Sequence, residues 1–241
     1  MKFQSVLCAA AIFFLFSFSS LTAQRALNIL VYAEGYRYGK AAFELAEMLE
    51  AGPDDNVTAE FVNTEHALKP ATLAQYDVLV LFNHNDISAV HEKNITSFVS
   101  GGKGLVALHH VINKANNNPE LNRLIGGYYS VEDGMIAHRD YNIVRIPGVE
   151  HPILDGIPDK FMIKNDQDFK IQFYPGQSVH RLLTNDLKEN GPQDDSGWTR
   201  TEGAGRVVFL SPGDAVEERP FIVTEVLPVL ITNAVHWAAG F

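Results

Sequence analysis

Cysteine is almost missing from this chain. The one cysteine among 241 residues is Cys8, and it lies in an amino-terminal segment set apart from the rest. Met1-Lys2 is a short basic start. Val6 to Phe18 is almost unbroken apolar sequence, and Leu21-Thr22-Ala23 offers a small-residue cleavage site before Gln24. That pattern predicts a secretory signal peptide over residues 1–23 and one domain over residues 24–241. Removing the first 23 of the 241 residues leaves 218, with no thiol among them. A disulfide scaffold, a thiol nucleophile and a thiolate metal site are thereby excluded from the domain. The signal also predicts a secreted or periplasmic location, with no membrane attachment once it is cleaved.

Basic clusters are missing as well. The 19 Lys and Arg are outnumbered by 29 Asp and Glu, for a net charge of −10, and no Lys/Arg-rich stretch occurs. Nucleic acid and anionic membrane surfaces are poor partners for such a chain. There is no internal repeat and no low-complexity segment. No Gly-x-Ser-x-Gly elbow occurs, and Ser211 precedes Pro212 rather than a helix, which speaks against Ser-His-Asp catalysis. The GGKG stretch at 101–104 follows a helical pattern and precedes a strand, the reverse of a phosphate-binding loop.

What is present is an alternation of buried strands and helices. Asn28–Ala33, Val57–Val62, Asp77–Phe82 and Gly104–Leu108 read as strands. Lys40–Ala51 and Ile87–Ser100 carry helical spacing, each ended by glycine. The order predicts a mostly parallel sheet covered on both faces, with right-handed crossovers. From Tyr128 to about Gly191 the runs shorten, which predicts a looped excursion with an antiparallel extension. Arg206–Leu210 returns to buried-strand character. Pro220 to Trp237 reads as a closing helix with a kink at Pro228.

Ligands of open α/β sheets gather at the carboxyl ends of the strands. The residues to collect are Glu34 to Arg37, Asn83 to Asp86, His109 with His110, and Ser211 to Asp214. Histidine at such a place serves as general acid or base, or as a metal ligand. Adjacent residues on a turn point in different directions, which ranks His110 behind His109 as a candidate. Tyr36, Tyr38, Trp198 and Phe169 offer flat apolar faces for a sugar, and Asn83, Asn85, Asp86 and Arg37 offer partners for its hydroxyls. The same aromatics also suit packing under loops or capping of the sheet.

GKGLVALHH, with DVLVLFN before it, HPILDGIP after it and GAGRVVFLSPGD near the end, resembles the ThuA-like family from about Leu27 to Ala239. That family is named for trehalose utilisation. The resemblance implies the class I glutamine amidotransferase-like (flavodoxin-like) fold, a three-layer α/β/α domain. His109 matches the family histidine at a sharp strand-to-helix turn, where true amidotransferases carry a nucleophilic cysteine. This domain has none, so glutamine hydrolysis by that route is ruled out. His138, in AHRDY, resembles the second family histidine. His151, in His151-Pro152, reads mainly as a turn residue. Asp166 matches the first acid of an Asp-Glu-x-Tyr stretch that here reads Asp166-Gln167-Asp168-Phe169. Two family histidines are replaced: the first-strand loop has Glu34-Gly35-Tyr36-Arg37-Tyr38, and the last-strand loop has Gly213-Asp214.

These residues yield three readings. The first is an enzyme of carbohydrate metabolism acting on a small sugar or keto-sugar glycoside by acid/base chemistry, possible routes being hydrolysis, elimination and isomerisation. His109, His138, Asp166 and Asp214 are its catalytic candidates. Glu34, Tyr36, Arg37, Asn83, His110 and Trp198 are its substrate-binding candidates. His109, His138 and Asp166 offer enough ligands for a divalent metal such as zinc. The second is a noncatalytic carbohydrate-binding module on the same scaffold, favoured by the missing histidines. The third is an interaction domain with a decayed site. The enzyme reading needs the four catalytic candidates around one pocket; the binding module needs the aromatics there but not the acids.

Overall fold

The strands at the centre of the sheet are continuous apolar runs because both of their faces are covered. A computed structural model describes residues 26–34, 36–52, 56–84, 86–112, 117–129, 135–187, 194–214 and 224–241. The expected signal peptide lies outside the described residues. In chain order the elements begin with β1 (Leu27–Tyr32), α1 (Tyr36–Glu50), β2 (Val57–Val62), α2 (Pro70–Leu73), β3 (Val78–Leu81), α3 (Ala89–Ser100) and β4 (Gly104–Leu108). Then come α4 (Pro119–Ile125), β5 (Gly127–Tyr129), β6 (Met135–Arg145), β7 (Lys160–Phe169) and β8 (Ile171–Phe173). The last are β9 (His180–Asn185), β10 (Asp195–Glu202), β11 (Gly205–Leu210) and α5 (Val226–Ala239).

Nine strands form one mixed sheet in the order β2-β1-β3-β4-β11-β10-β9-β6-β7. The pairs from β2 to β11 are parallel, and those from β11 to β7 are antiparallel. The parallel half carries the expected strands. The antiparallel half is as large in pairings, because β10 folds back on β11 and recruits the excursion strands. β5 and β8 form a separate antiparallel pair.

Successive residues of a strand point to opposite faces. Ile29, Val80, Val106 and Val208 pack with Leu45 of α1 and with Leu230 and Ala234 of α5. Leu30, Leu79, Leu105 and Val207 pack with Ile95 and Val99 of α3 and Leu124 of α4. The closing helix begins at Val226, so Pro228 sits in its first turn rather than at a kink, where a missing N–H breaks no helical bond. Pro220 lies outside the described residues. Among the described residues, no helix is long and apolar enough to cross a membrane.

Two features of this topology set up the site. β1 is flanked by β2 on one side and β3 on the other, so the strand order reverses there and leaves a crevice at the strand ends. Asn83 bridges it by accepting a hydrogen bond from the Glu34 amide at 2.9 Å. Farther along, three steps of β6 from Ile136 to Arg139 face two steps of β7, and two steps from Arg139 to Tyr141 face three. The first of these compensating bulges contains His138, and Asn165 takes a left-handed φ of 48° in the second.

Candidate active site

β4 ends at Leu108, and the next residue, His109, has φ of 47° in a 3-10 turn over His109–Val111. A left-handed conformation is uncommon for a residue with a side chain and marks a position held by its surroundings. His109 is fully buried. Its Nδ1 bonds the Ser211 carbonyl oxygen beyond β11. A carbonyl only accepts, so Nδ1 carries the proton and Nε2 keeps its lone pair in the neutral ring. That buried Nε2 has no hydrogen-bond partner among the described residues.

His110 is buried beside His109 in the same turn. Its ring lies 4.6 Å from His84, 5.3 Å from Tyr38 and 4.2 Å from His109, between centroids. His110 Nε2 is 3.8 Å from Asp214 Oδ1, and the other carboxylate oxygen of Asp214 is 2.6 Å from His138 Nε2. The Asp214 side chain is buried, whereas that of His138 is 33 % exposed. Gln167 Nε2 stands 3.5 Å from His138 Nδ1. Asp214 therefore joins an inner pair of imidazoles to one at the rim.

Asp166 is not in this cluster as a free carboxylate. Its Oδ1 accepts the amides of Asp214 at 2.8 Å and Gln167 at 2.9 Å, and its Oδ2 accepts the Gly213 amide at 2.9 Å. Tyr141 Oη donates to the Gln167 carbonyl at 3.0 Å and approaches Asp166 Oδ2 at 3.4 Å. Burial first, then the charges of Asp168 and Asp166, push the Tyr141 hydroxyl well above its usual range. Asp166 thus holds the loop that carries Asp214, with both of its oxygens engaged by backbone amides rather than standing free as the expected base or metal ligand. Among the described residues, the trio whose ligand atoms lie within 4.8 Å of one another is His109, His110 and Asp214, not His109, His138 and Asp166.

Asp168, two residues along β7, is fully buried. It accepts the Ser211 hydroxyl, the Phe169 amide at 2.7 Å, Asn185 Nδ2 at 2.6 Å and the Ser196 hydroxyl at 2.9 Å. Burial pushes its carboxyl up to about 6, against the pull of those donors. Ser211 is thus held through its hydroxyl by Asp168 while its carbonyl fixes the ring of His109.

The substrate-binding candidates divide. Glu34 and Asn83 stand at the crevice between β1 and β3. Tyr36 and Arg37 open α1, and their side chains lie outside the described residues. Trp198 belongs to the core and cannot meet a ligand: it is fully buried, stacks on Phe209 at 4.3 Å, and donates its Nε1–H to the Ile125 carbonyl at 2.8 Å. Phe169 is likewise buried, against His109 at 5.0 Å. Tyr38 does reach the cluster, stacked on His84 at 5.4 Å and 19°. His84 falls within the Asn83 to Asp86 stretch that the strand-end rule selects, although sequence reasoning gave it no role of its own. Tyr141, Ser196 and Asn185 carry no sequence signal, because strand pairing alone brings them to the two aspartates.

The family model described as ThuA, trehalose utilisation, matches residues 28–238. The chain belongs to the ThuA family. No curated protein matches it. Among solved structures, this ThuA protein is similar to a ThuA-like protein from Bacteroides uniformis ATCC 8492, with a TM-score of 0.71 and 17 % identity over 90 % of this chain and 94 % of that one. A ThuA-like protein from Parabacteroides merdae ATCC 43184 gives 0.69 and 16 %, over 89 % and 90 %. A β-galactosidase from Rahnella sp. R3 gives 0.63 and 12 %, over 88 % of this chain and 31 % of that one. At these identities the likeness shows the fold, a mixed α/β domain. The family description gives the ThuA chain a carbohydrate-related context.

Proposed function

We propose that this ThuA protein is an enzyme of carbohydrate metabolism that acts on a small sugar or keto-sugar glycoside by acid/base chemistry. The observation that carries the reading is the 2.6 Å contact between His138 Nε2 and the buried Asp214 carboxylate, with two further imidazoles behind it. A carboxylate accepting from Nε2–H orients the ring and leaves Nδ1 toward Gln167 and the rim. His138 is the member with surface to meet a substrate and exchange a proton with water. His109, fully buried, acts from behind the rim rather than on the sugar directly. Asp166 and Asp168 hold the Ser211–Asp214 loop in register with β4.

The binding-module reading loses support from the placement of Trp198 and Phe169 in the core, since it needs their faces at the rim. The scaffold in this proposal is three-layer α/β/α of the class I glutamine amidotransferase-like kind, supported by packing of α1 and α5 against one set of strand residues and α3 and α4 against the other. Export by the amino-terminal signal is part of the same reading, and amino-terminal sequencing of the protein from its producing cells, expected to start at Gln24, checks it.

Purified protein incubated with disaccharides and their keto derivatives should turn over at least one of them. His138→Gln and Asp214→Asn should each lower turnover by about 10²-fold or more, the usual weight of a positioned acid or base. Full activity in both variants, with the fold intact by circular dichroism, would remove the assignment.

A further inference from the structure

Two imidazoles and one carboxylate, all buried, bring one ligand atom each within 4.8 Å of the others: His109, His110 and Asp214. A lone pair on a buried nitrogen with no donor facing it has lost its hydration without replacement. His109 Nε2 is such a nitrogen. Its opposite ring nitrogen donates to a backbone carbonyl, the outer contact that metal-binding histidines use to fix the tautomer and turn the lone pair to the ion. Asp214 shows a matching division of labour. Its Oδ2 accepts a hydrogen bond from His138 Nε2–H, its amide is anchored on Asp166, and its Oδ1 faces His110.

We propose that His109 Nε2, His110 and Asp214 Oδ1 hold a divalent transition-metal ion of the zinc class, with His138 as the outer partner of the ligating carboxylate. Two nitrogen donors exclude a magnesium or calcium preference, since those ions select oxygen. Three protein ligands leave a fourth position for water or a sugar oxygen, the arrangement of a catalytic rather than a structural zinc site. Bound there, the ion would supply Lewis acidity behind the rim. The inference shares its location with the proposed function but stands on the geometry of the cluster alone.

The test uses full-length mature protein, stripped with a chelator and dialysed. Calorimetric titration with Zn²⁺ should give one equivalent of saturable binding, and Co²⁺ should give visible d–d absorption of a low-coordinate nitrogen and oxygen site. His138→Gln should weaken zinc binding by about 10- to 100-fold, as loss of an outer partner does. His109→Ala and Asp214→Asn should weaken it further, and His236→Ala, on the far end of α5, should not. Because a buried substitution can unfold the chain, imidazole ¹⁵N spectra of the unaltered protein give a second readout. Zinc should shift Nε2 of His109 while its Nδ1 proton stays bonded. Absence of saturable binding, or an affinity in both His109→Ala and Asp214→Asn that equals that of the unaltered protein, overturns the site. Zinc binding at the cluster without turnover of any sugar would uphold the site and sink the proposed activity. Turnover by metal-free protein that binds no zinc would do the reverse.

Discussion

Two aspartates on β7 place three residues of the last-strand loop. Asp166 takes the amides of Gly213 and Asp214, and Asp168 takes the hydroxyl of Ser211. Side chains two apart on a strand share a face, so one strand presents both carboxylates to one loop. Neither touches the rim. Asp166→Asn swaps an acceptor oxygen for a donor against a backbone N–H, so one buried donor goes unpaired. We expect a loss of about 1–3 kcal/mol in urea denaturation. A wider separation of His138 from Asp214 should accompany it, read as a changed His138 titration in NMR. A loss of stability with an unchanged titration would mean that Asp166 holds the loop without setting the site.

At the scale of elements, the parallel half of the sheet is tight where it begins. A Cβ on Gly205, at the start of β11, would fall on the carbonyl oxygens of Val99 and Lys103. Both are backbone atoms and cannot swing away. Gly205→Ala should cost about 1–3 kcal/mol or more by overpacking, visible as a lower thermal midpoint. Gly39 in α1 is the contrary case. A Cβ there meets only Phe61 Cζ at 3.5 Å, an ordinary contact. Gly39→Ala should therefore raise stability by about 0.5–1 kcal/mol through helix propensity and a less flexible unfolded chain. The turn before β11 explains another sequence feature: Gly203 has φ of 57° in the two-residue connection from Glu202 to Gly205, as a tight hairpin needs.

Over the whole molecule, a buried carboxyl and a half-buried imidazole pull stability in opposite directions with pH. Asp168 titrates at about 6 instead of 3.8, because burial disfavours its charge. The folded chain binds that proton more tightly, so this contribution is complete below pH 3.8 and is lost as pH rises through about 6. His151 titrates at about 4 instead of 6.5, through burial first and then the charge of His180. Its contribution is complete above pH 6.5 and is lost as pH falls through about 4. His151 Nδ1 also accepts the Ile153 amide, a contact that protonation breaks. Between pH 4 and 6 the two slopes oppose each other. Asp168→Asn should leave stability rising with pH across that window, and His151→Asn should leave it falling. Urea midpoints measured at half-unit steps of pH check both signs.

The reach of the sequence follows from these scales. Strands buried on both faces must be apolar throughout, so β1, β3, β4 and β11 were legible as runs, and the rule that ligands sit at strand ends pointed to Asn83, His109, His110 and Asp214. The antiparallel half was not legible in the same way. β7 alternates exposed and buried residues over its first half, and β6 and β7 pair through two offsetting bulges that no local pattern announces. Trp198 read as a rim candidate for its flat apolar face, yet β10 turns it inward against Phe209 and Phe173. Composition and order alone determined a thiol-free α/β domain with histidine at its mouth. Tertiary structure alone decided which carboxylate faces those rings, seating Asp214 beside them and spending Asp166 on backbone amides, because that choice depends on pairings between residues 47 and 48 positions apart in the chain.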